Sequence, residues 1–301
     1  MSAKYSLGRL YLLAATCTCK RGIERKQLPN SYLTFSFIML FLLIVTSRNA
    51  IAGGLVDTSV ERFLAADFTT FPSANITNPW WTLPAGHNFL YFAQDGDDCV
   101  WNLTEVLNAT TSNFAGVYAG TNARIVLDRG WVDEDCIYGT DPAGFFNVWN
   151  NLPTEEATYD WYAQDSEKNI WYMGEHTFDG VDFGGSFVAG CDDAEAGIVV
   201  LGNPSKGDFY SQEFYEDEAE DWGKVLNFKA TDGLVCMKTK EWTPLERGAV
   251  EHKRYCSNGG VGELSMIEEL QGKTVIVELV DHDVVAPPPP AGPINPIPSC
   301  P

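Results

Sequence analysis

Groups of closely spaced acidic residues are the first candidates for chemistry in this sequence. Asp95, Asp97 and Asp98 lie close together, and similar groups occur near residues 133, 192 and 216. Loop carboxylates are ligands that calcium prefers, but the spacing does not match the helix–loop–helix calcium motif. Two interpretations therefore stay open: a structural calcium site at these three aspartates, or a solvated acidic loop.

A histidine and a methionine indicate copper as a second candidate metal. The four histidines show no H-x-H or H-x-x-x-H spacing. His176 and Met173 flank the second strand of a hairpin predicted over residues 160–175, and imidazole with thioether suits copper. Copper is therefore a second cofactor prediction beside calcium, although isolated histidines are the more common case.

Motifs of familiar enzyme classes are missing from the sequence. It has no G-x-S-x-G, no H-E-x-x-H, no phosphate-binding loop and no G-x-G-x-x-G. A glycosidase needs only two suitably placed carboxylates, and Glu175, Glu213 and Glu241 stand beside aromatic residues. Such neighbours also arise by chance in an acidic chain. The sequence thus favours a non-catalytic binding or structural protein, with a metal-binding protein and a carbohydrate-active hydrolase as alternatives.

The segment DWYAQDSEKNIWYMGE, residues 160 to 175, places an aromatic pair on each side of a polar turn. This arrangement predicts a β-hairpin. Because side chains alternate between the faces of a strand, we expect one aromatic residue per strand in the core and its neighbour on the other face. The outer pair either packs structurally or stacks on a ligand.

Nine tryptophans and an aromatic content of 13% suit a stacking surface or an apolar pocket. The candidates are Trp161 and Trp171 of the hairpin, together with Trp80 and Trp81 of the loop NPWWTLPAG. These residues predict a small apolar molecule or a carbohydrate as ligand, and they identify no protein partner. Packing against the core is the alternative for all four.

The beginning of the chain has the character of a leader. Its first 52 residues hold seven basic residues and one acid, an apolar run over residues 33–45, and Ala-Ile-Ala at residues 50–52. That order is typical of a secretory signal peptide cleaved after Ala52, although an over-extended start or an uncleaved anchor also fits the long basic part. The expected location is secreted, either periplasmic or extracellular.

The charge of the remaining chain is strongly negative. The whole chain has 20 basic and 41 acidic residues, a net charge of −21. Without the first 52 residues, 13 basic and 40 acidic residues remain, which makes the net charge −27. Such a surface repels nucleic acid and anionic membranes, so neither is expected as a partner.

Six cysteines follow the leader, and an even number in an exported chain predicts disulfides. The sequence alone does not choose among the possible pairings. Our hypothesis joins Cys99 to Cys136 and Cys236 to Cys256, because each pair brackets a short segment, and leaves Cys191 with Cys300. The absence of C-x-x-C disfavours a zinc cluster or a thioredoxin-like redox site.

The pattern of apolar residues predicts the fold class. Segments rich in β-branched and aromatic residues follow one another, separated by Gly, Pro and Asn and without long helices between them. This predicts a mainly β protein with a single antiparallel, strongly curved sheet, or an open barrel or sandwich, with minor short helices. Thr154 to Ala157 and Phe214 to Val225 are candidates for short helical turns.

Four parts follow from composition along the chain. They are the leader 1–52, an N-terminal segment 53–77, a β-rich domain 78–286 and a proline-rich tail 287–301. Proline cannot donate to a sheet and favours an extended conformation, so the tail is expected to be exposed unless Cys300 ties it down.

Three phrases of the sequence are distinctive: DWYAQDSEKNIWYMGE, GNPSKGDFYSQEFYEDEAEDWGKV and KTKEWTPLERGAVEHKRY. They resemble a family of secreted, functionally uncharacterised bacterial proteins, in which the second and third phrases read NP-x-x-GD-x-Y-x-QE-Y and KT-x-EWTPLEPG-x-x-E-x-KYYA-x-GVG. The resemblance covers roughly residues 78 to 280 and implies export and a β-rich fold, but no reaction. Cys256 and Ser257 depart from the family pattern, which suggests that the cysteines are a lineage-specific addition.

Overall fold

The computed structural model describes residues 73–149, 152, 154–178, 186–271 and 273–286. The predicted leader with its cleavage site, most of the segment 53–77, the tail 287–301 and Cys300 lie outside the described residues. Those assignments stay predictions. Within the described ranges, no helix is both long enough and apolar enough to cross a membrane.

Strands make up most of the described chain. They are β1 (Ile76–Thr77), β2 (Thr82–Leu83), β3 (Asn88–Asp95), β4 (Asp98–Thr111), β5 (Ala123–Asp133), β6 (Thr154–Gln164), β7 (Ile170–Phe178), β8 (Phe187–Val188), β9 (Glu195–Val200), β10 (Phe209–Ser211), β11 (Glu213–Phe214), β12 (Trp222–Thr231), β13 (Leu234–Trp242), β14 (Val250–Ser257), β15 (Gly262–Glu269) and β16 (Val275–His282). The helical elements of the described ranges are α1 (Pro142–Val148) and two short 3-10 helices, Gly116–Tyr118 and Glu134–Cys136.

One sheet of 14 strands dominates the fold. Its neighbours follow the order β10–β12–β13–β14–β15–β16–β3–β4–β5–β6–β7–β9–β11, and β8 pairs with β7 beside this path. The sheet is antiparallel and nearly closed into a barrel, which confirms the predicted fold class. Its two terminal strands, β10 and β11, are consecutive in the chain and joined by a single residue, Gln212.

Most sheet neighbours are also consecutive in sequence, as expected for a meander. The exception in the middle of the sheet is the pairing of β16 with β3, where Leu279 lies opposite Tyr91. The beginning and the end of the described sheet are therefore hydrogen-bonded to each other.

Side chains alternate between the inside and the outside of the curved sheet. In β14, Glu251, Lys253 and Tyr255 are buried, whereas His252 and Arg254 on the opposite face are partly exposed. The inward face is thus polar as well as aromatic along this strand. That composition distinguishes one side of the interior from an ordinary hydrophobic core.

The predicted hairpin over residues 160–175 is present as β6 and β7. Trp161, Tyr162, Trp171 and Tyr172 are 0%, 1%, 2% and 0% exposed, so the expectation of an aromatic pair outside the core is wrong. A β-bulge between Trp161 and Tyr162 breaks the simple alternation. In addition, β8 pairs with β7 at Gly174, the residue opposite Trp161, and covers this part of the hairpin.

The two predicted helical turns have different outcomes. Residues 154–157 begin β6, where pairing with a neighbouring strand outweighs local propensity, so that prediction is wrong. In the second segment, Phe214 ends β11 and residues 222–225 begin β12, and between them the Ala219 backbone N–H donates to the Tyr215 carbonyl oxygen at 2.9 Å, which makes one turn of helical type.

The helix α1 was not predicted from the sequence. Asp141 caps it by accepting a hydrogen bond from the Ala143 backbone N–H at 3.1 Å, and Pro142 occupies its first turn. Phe145 of this helix stacks on Trp101 at a centroid distance of 4.8 Å and contacts Trp131 at 5.4 Å. The helix therefore completes a second, smaller hydrophobic cluster.

Two of the predicted disulfides are present. Cys99 is bonded to Cys136, and Cys236 is bonded to Cys256, its direct partner across β13 and β14. Cys191 is also disulfide-bonded. Its predicted partner, Cys300, lies outside the described residues, so that pairing stays a prediction.

Candidate ligand-binding site

A cavity of about 60 Å³ lies on the inner side of the sheet. Its wall combines aromatic, acidic, amide and aliphatic side chains. The lining residues are Trp81, Tyr91, Asn102, Thr104, Asp128, Tyr162, Val199, Gln212, Glu251, Lys253, Tyr255, Leu264, Ile267 and Val277. This volume is several times the space of about 10–15 Å³ that one water molecule needs.

Aromatic rings form one part of the wall. Trp81 meets Tyr162 edge to face with ring centroids 5.3 Å apart, and it lies 6.3 Å from the ring of Tyr255. Behind Tyr162, the ring of Tyr172 stacks at 5.1 Å. Because these rings support one another, Trp81 is held in a defined position although it belongs to a loop.

A chain of polar side chains leads away from the cavity across β4 to β7. Thr104 donates a hydrogen bond to Asp128, and Asp128 is hydrogen-bonded to Asp160. The Tyr172 hydroxyl lies 2.6 Å from Asp160 Oδ1 and 2.7 Å from Glu175 Oε2. Asp160 and Glu175 are direct partners in the register of β6 and β7, so the fold itself brings these two carboxyl groups together.

Burial and the neighbouring carboxylates of Asp128 and Glu175 raise the pKa of Asp160 well above its usual range. Burial also raises the pKa of Asp128. These effects favour the protonated form of Asp160, which can donate a hydrogen bond to Asp128. Sharing of protons in this way allows acidic side chains to stand side by side in a nearly dry interior.

A second polar group surrounds Lys253. Its Nζ atom lies 2.8 Å from Glu241 Oε2 and 3.5 Å from Glu251 Oε2. Burial lowers the pKa of Lys253, but the adjacent Glu241 and Glu251 carboxylates outweigh that effect and raise it above the ordinary value. The Gln212 amide donates to Glu241 Oε2 at 3.0 Å and thus ties the residue that links β10 and β11 into the same group.

Further acids extend this group along the interior. Burial, with a contribution from Glu251, raises the pKa of both Asp221 and Glu269 to about 8. Burial and the charge of Asp221 raise the pKa of Glu213 well above its usual range. Glu241, Glu251 and Glu269 are consecutive partners across β13, β14 and β15, so a row of glutamates crosses three strands with Lys253 beside it.

Several buried polar atoms in this region have no hydrogen-bond partner among the described residues. They are Gln212 Oε1, Asp221 Oδ1, Tyr210 OH and Glu269 Oε1. Gln212 itself lines the cavity and is 1% exposed. An unpaired buried acceptor costs about 1–3 kcal/mol, so these atoms indicate a place for water or for a ligand.

The tryptophans predicted to stack on a ligand have different surroundings. Trp81 lines the cavity. Trp80 is half-buried and packs on Phe228 at 5.4 Å, away from the lining. Trp161 and Trp171 lie in the core, and the Trp171 Nε1–H donates to Asp165 Oδ2 at 2.8 Å, in the hairpin turn.

The three aspartates predicted to bind calcium do not converge on one another. Asp95 is buried and forms an ion pair with Lys273, Asp97 is exposed, and Asp98 Oδ1 accepts from the Asp135 backbone N–H at 2.8 Å. Across the ranges that the structure describes, no group of three or more His, Cys, Asp or Glu side chains is placed to hold a metal ion. Calcium binding stays a prediction.

The two residues predicted to bind copper also have separate environments. Met173 is fully buried in the core, and His176 is partly exposed with a pKa lowered by burial. The copper site therefore stays a prediction from the sequence.

Four important cavity residues were not singled out from the sequence: Tyr91, Gln212, Lys253 and Tyr255. A signal for two of them exists in VEHKRY, where Glu251, Lys253 and Tyr255 alternate with His252 and Arg254. Both faces of this strand are polar, so alternation alone could not indicate which one faces inward.

Comparisons with known proteins add distant likenesses. No protein family and no curated protein matches the chain. A candidate exported protein of Bacteroides fragilis with a YmcC-like fold aligns at 11% identity and a TM-score of 0.30, over 68% of this chain and 99% of its own. A candidate lipoprotein of Parabacteroides distasonis aligns at 8% identity and a TM-score of 0.25, over 68% of this chain and 99% of its own. At such values neither function nor ligand is transferred.

Proposed function

We propose that the protein is a non-catalytic, extracytoplasmic binding protein that holds a small carbohydrate in the cavity of the sheet. The observation that carries this proposal is the wall itself. It combines the aromatic ring of Trp81 with carboxylate and amide groups, including a Gln212 oxygen that has no hydrogen-bond partner in the described part of the chain.

The chemistry of the wall favours a carbohydrate over a purely apolar ligand. Sugar rings stack their C–H faces on aromatic side chains, while their hydroxyl groups donate to carboxylates and amide oxygens. Asp128, Glu251 and Gln212 supply such acceptors around the cavity. A hydrocarbon would leave Gln212 Oε1, which has no hydrogen-bond partner among the described residues, unpaired at a cost of about 1–3 kcal/mol.

The non-catalytic part of the proposal is supported by the positions of the acids. Glu175, Glu213 and Glu241, the candidates for a hydrolytic pair, are buried and are not among the residues that line the cavity. Glu241 is engaged by Lys253, Gln212 and Thr239. Carboxylates held in this way stabilise the interior and are poorly placed to reach a glycosidic bond.

The extracytoplasmic location is supported by the leader-like sequence of residues 1–52 and by the two disulfides. Disulfides persist in oxidising compartments and are rare in a reducing cytosol. Purification from the native host, with separate analysis of cytosolic and exported fractions, tests this part.

The binding proposal is tested by tryptophan fluorescence and calorimetry with a panel of neutral mono- and disaccharides. We expect one member to bind, and Trp81→Leu to weaken that binding by at least about tenfold, since a stacking contact is lost. Trp80→Leu is the matched control, because Trp80 is the chain neighbour but does not line the cavity. No binding to the panel, or equal loss in both variants, would contradict the proposal.

A further inference from the structure

The outer face of β12 to β14 is unusually basic. We use the name basic face for five residues: Lys224 and Lys229 of β12, Lys238 and Lys240 of β13, and Arg254 of β14. Register places them on one side of the sheet, because Lys224 lies opposite Lys240 and Lys238 lies opposite Arg254. Lys253, the neighbour of Arg254, points into the barrel instead.

Like charges face each other directly on this surface. Both cross-strand pairs, Lys224 with Lys240 and Lys238 with Arg254, bring two cations together. Such pairs are destabilising in a sheet. Inside the barrel, Lys253 lies among the glutamates and compensates part of their charge, whereas the described residues give the cations of the outer face much less compensation.

Only one acid neutralises part of the basic face among the described residues. Glu268 lies 2.7 Å from Lys238 Nζ and 3.9 Å from the Arg254 guanidinium. Lys224 and Lys229 are exposed and form no ion pair with another described residue. The face keeps an excess of positive charge in a chain whose net charge is −21.

Aromatic rings lie beside these cations. Phe209 stacks on Trp222 at 5.0 Å with an angle of 6° between the rings, and on Trp242 at 5.4 Å with an angle of 18°. All three are half-buried, so parts of the stack are accessible. Lys240 Nζ lies 4.9 Å above the Trp242 ring, which joins the basic face to the aromatic stack.

We propose that the basic face, with the Phe209–Trp222–Trp242 stack, binds an acidic polysaccharide. The carboxylate groups of the polymer lie against Lys224 and Lys240, and sugar rings pack on the exposed parts of the stack. Charge complementarity carries this choice, because uncompensated cations beside flat apolar rings match alternating carboxylates and sugar faces. The site lies on the opposite side of the sheet from the cavity and does not depend on what the cavity binds.

Alginate is a suitable probe, with dextran as the neutral polymer and oligo-dT as the nucleic acid. We expect alginate to bind with an affinity that falls as salt rises, and dextran to bind much more weakly. The double variant K224Q/K240Q should weaken alginate binding by roughly tenfold or more, since each cation near a polyanion contributes on the order of 1 kcal/mol. Lys168→Gln, in the turn between β6 and β7, is the control and should bind as the parent does.

The aromatic part is tested separately. Trp222→Leu should weaken binding at high salt, where charge is screened, and Trp222→Phe should restore part of it. Thermal melting of each variant checks that the fold is retained. Absence of alginate binding, equal binding of oligo-dT, or a salt-sensitive dimer that K224Q/K240Q abolishes would overturn the assignment.

Discussion

Replacement of Asp221 by asparagine should make the protein more stable at neutral pH and less sensitive to pH. Asp221 is 5% exposed, and its Oδ1 atom lacks a partner among the described residues. Burial and the charge of Glu251 raise its pKa to about 8, from about 3.9 for an unperturbed aspartate. Asparagine has nearly the same shape and needs no proton to stay neutral.

The sign of the effect follows from proton linkage. Since the pKa is raised in the folded protein, the folded form holds a proton that the unfolded form releases above about pH 4. The contribution of Asp221 to the free energy of unfolding is therefore largest at low pH. It is lost as pH rises toward the folded pKa of about 8. Between pH 5 and pH 7 the loss is about 1.4 kcal/mol per pH unit, or about 3 kcal/mol in total.

Urea unfolding, followed by tryptophan fluorescence at pH 5, 6 and 7, measures this slope. In Asp221→Asn the free energy of unfolding should fall less steeply, by about 1.4 kcal/mol per pH unit. Asp217→Asn, at an exposed aspartate of the preceding turn, is the matched control and should leave the slope unchanged. An unchanged slope in Asp221→Asn would refute the assignment of a retained proton to this residue.

Three other substitutions test the interior. Lys253→Met removes the cation 2.8 Å from Glu241, so the free energy of unfolding in urea should fall by about 3–5 kcal/mol. The decrease should be smaller at pH 5 than at pH 8, and an equal decrease at both pH values would contradict the role of charge. Tyr172→Phe removes the hydroxyl between two carboxyl groups and should lower the free energy of unfolding by about 1–3 kcal/mol. An unchanged free energy in the same assay would show that water replaces the hydroxyl. Gly174→Ala places a Cβ in steric conflict with the Phe187 carbonyl oxygen at a φ of 138°, so the melting temperature should fall. An unchanged melting temperature would show that β8 moves aside.

The spacing of apolar segments and turn residues predicted the fold class, because strands with short connections pair with their sequence neighbours. The pairing of Cys236 with Cys256 followed from the same logic, since the two residues are cross-strand partners. The helix α1 was missed, although Asp141-Pro142 is a typical helix start, because the apolar residues after it are too few for a helical period.

The candidate site was predictable only in its aromatic part. Trp81 was among the expected stacking residues, but its cavity depends on β10 and β11, the ends of the sheet that Gln212 joins. No local pattern encodes that meeting of distant strands. The burial of the interior acids was not predicted, because an ionised carboxylate is costly to bury and the sequence does not show which neighbours let it keep a proton.

The hydrogen bonds between β3 and β16 make the sheet dependent on the last strand of the described chain. Before residues 275–282 have joined the sheet, β3 and β15 each have an unpaired strand edge. Pairing of β3 with β16 joins segments that are far apart in sequence, and such non-local contacts form late in folding. Until they form, both edges can pair with other chains, so the partly folded protein is at its most aggregation-prone at this stage.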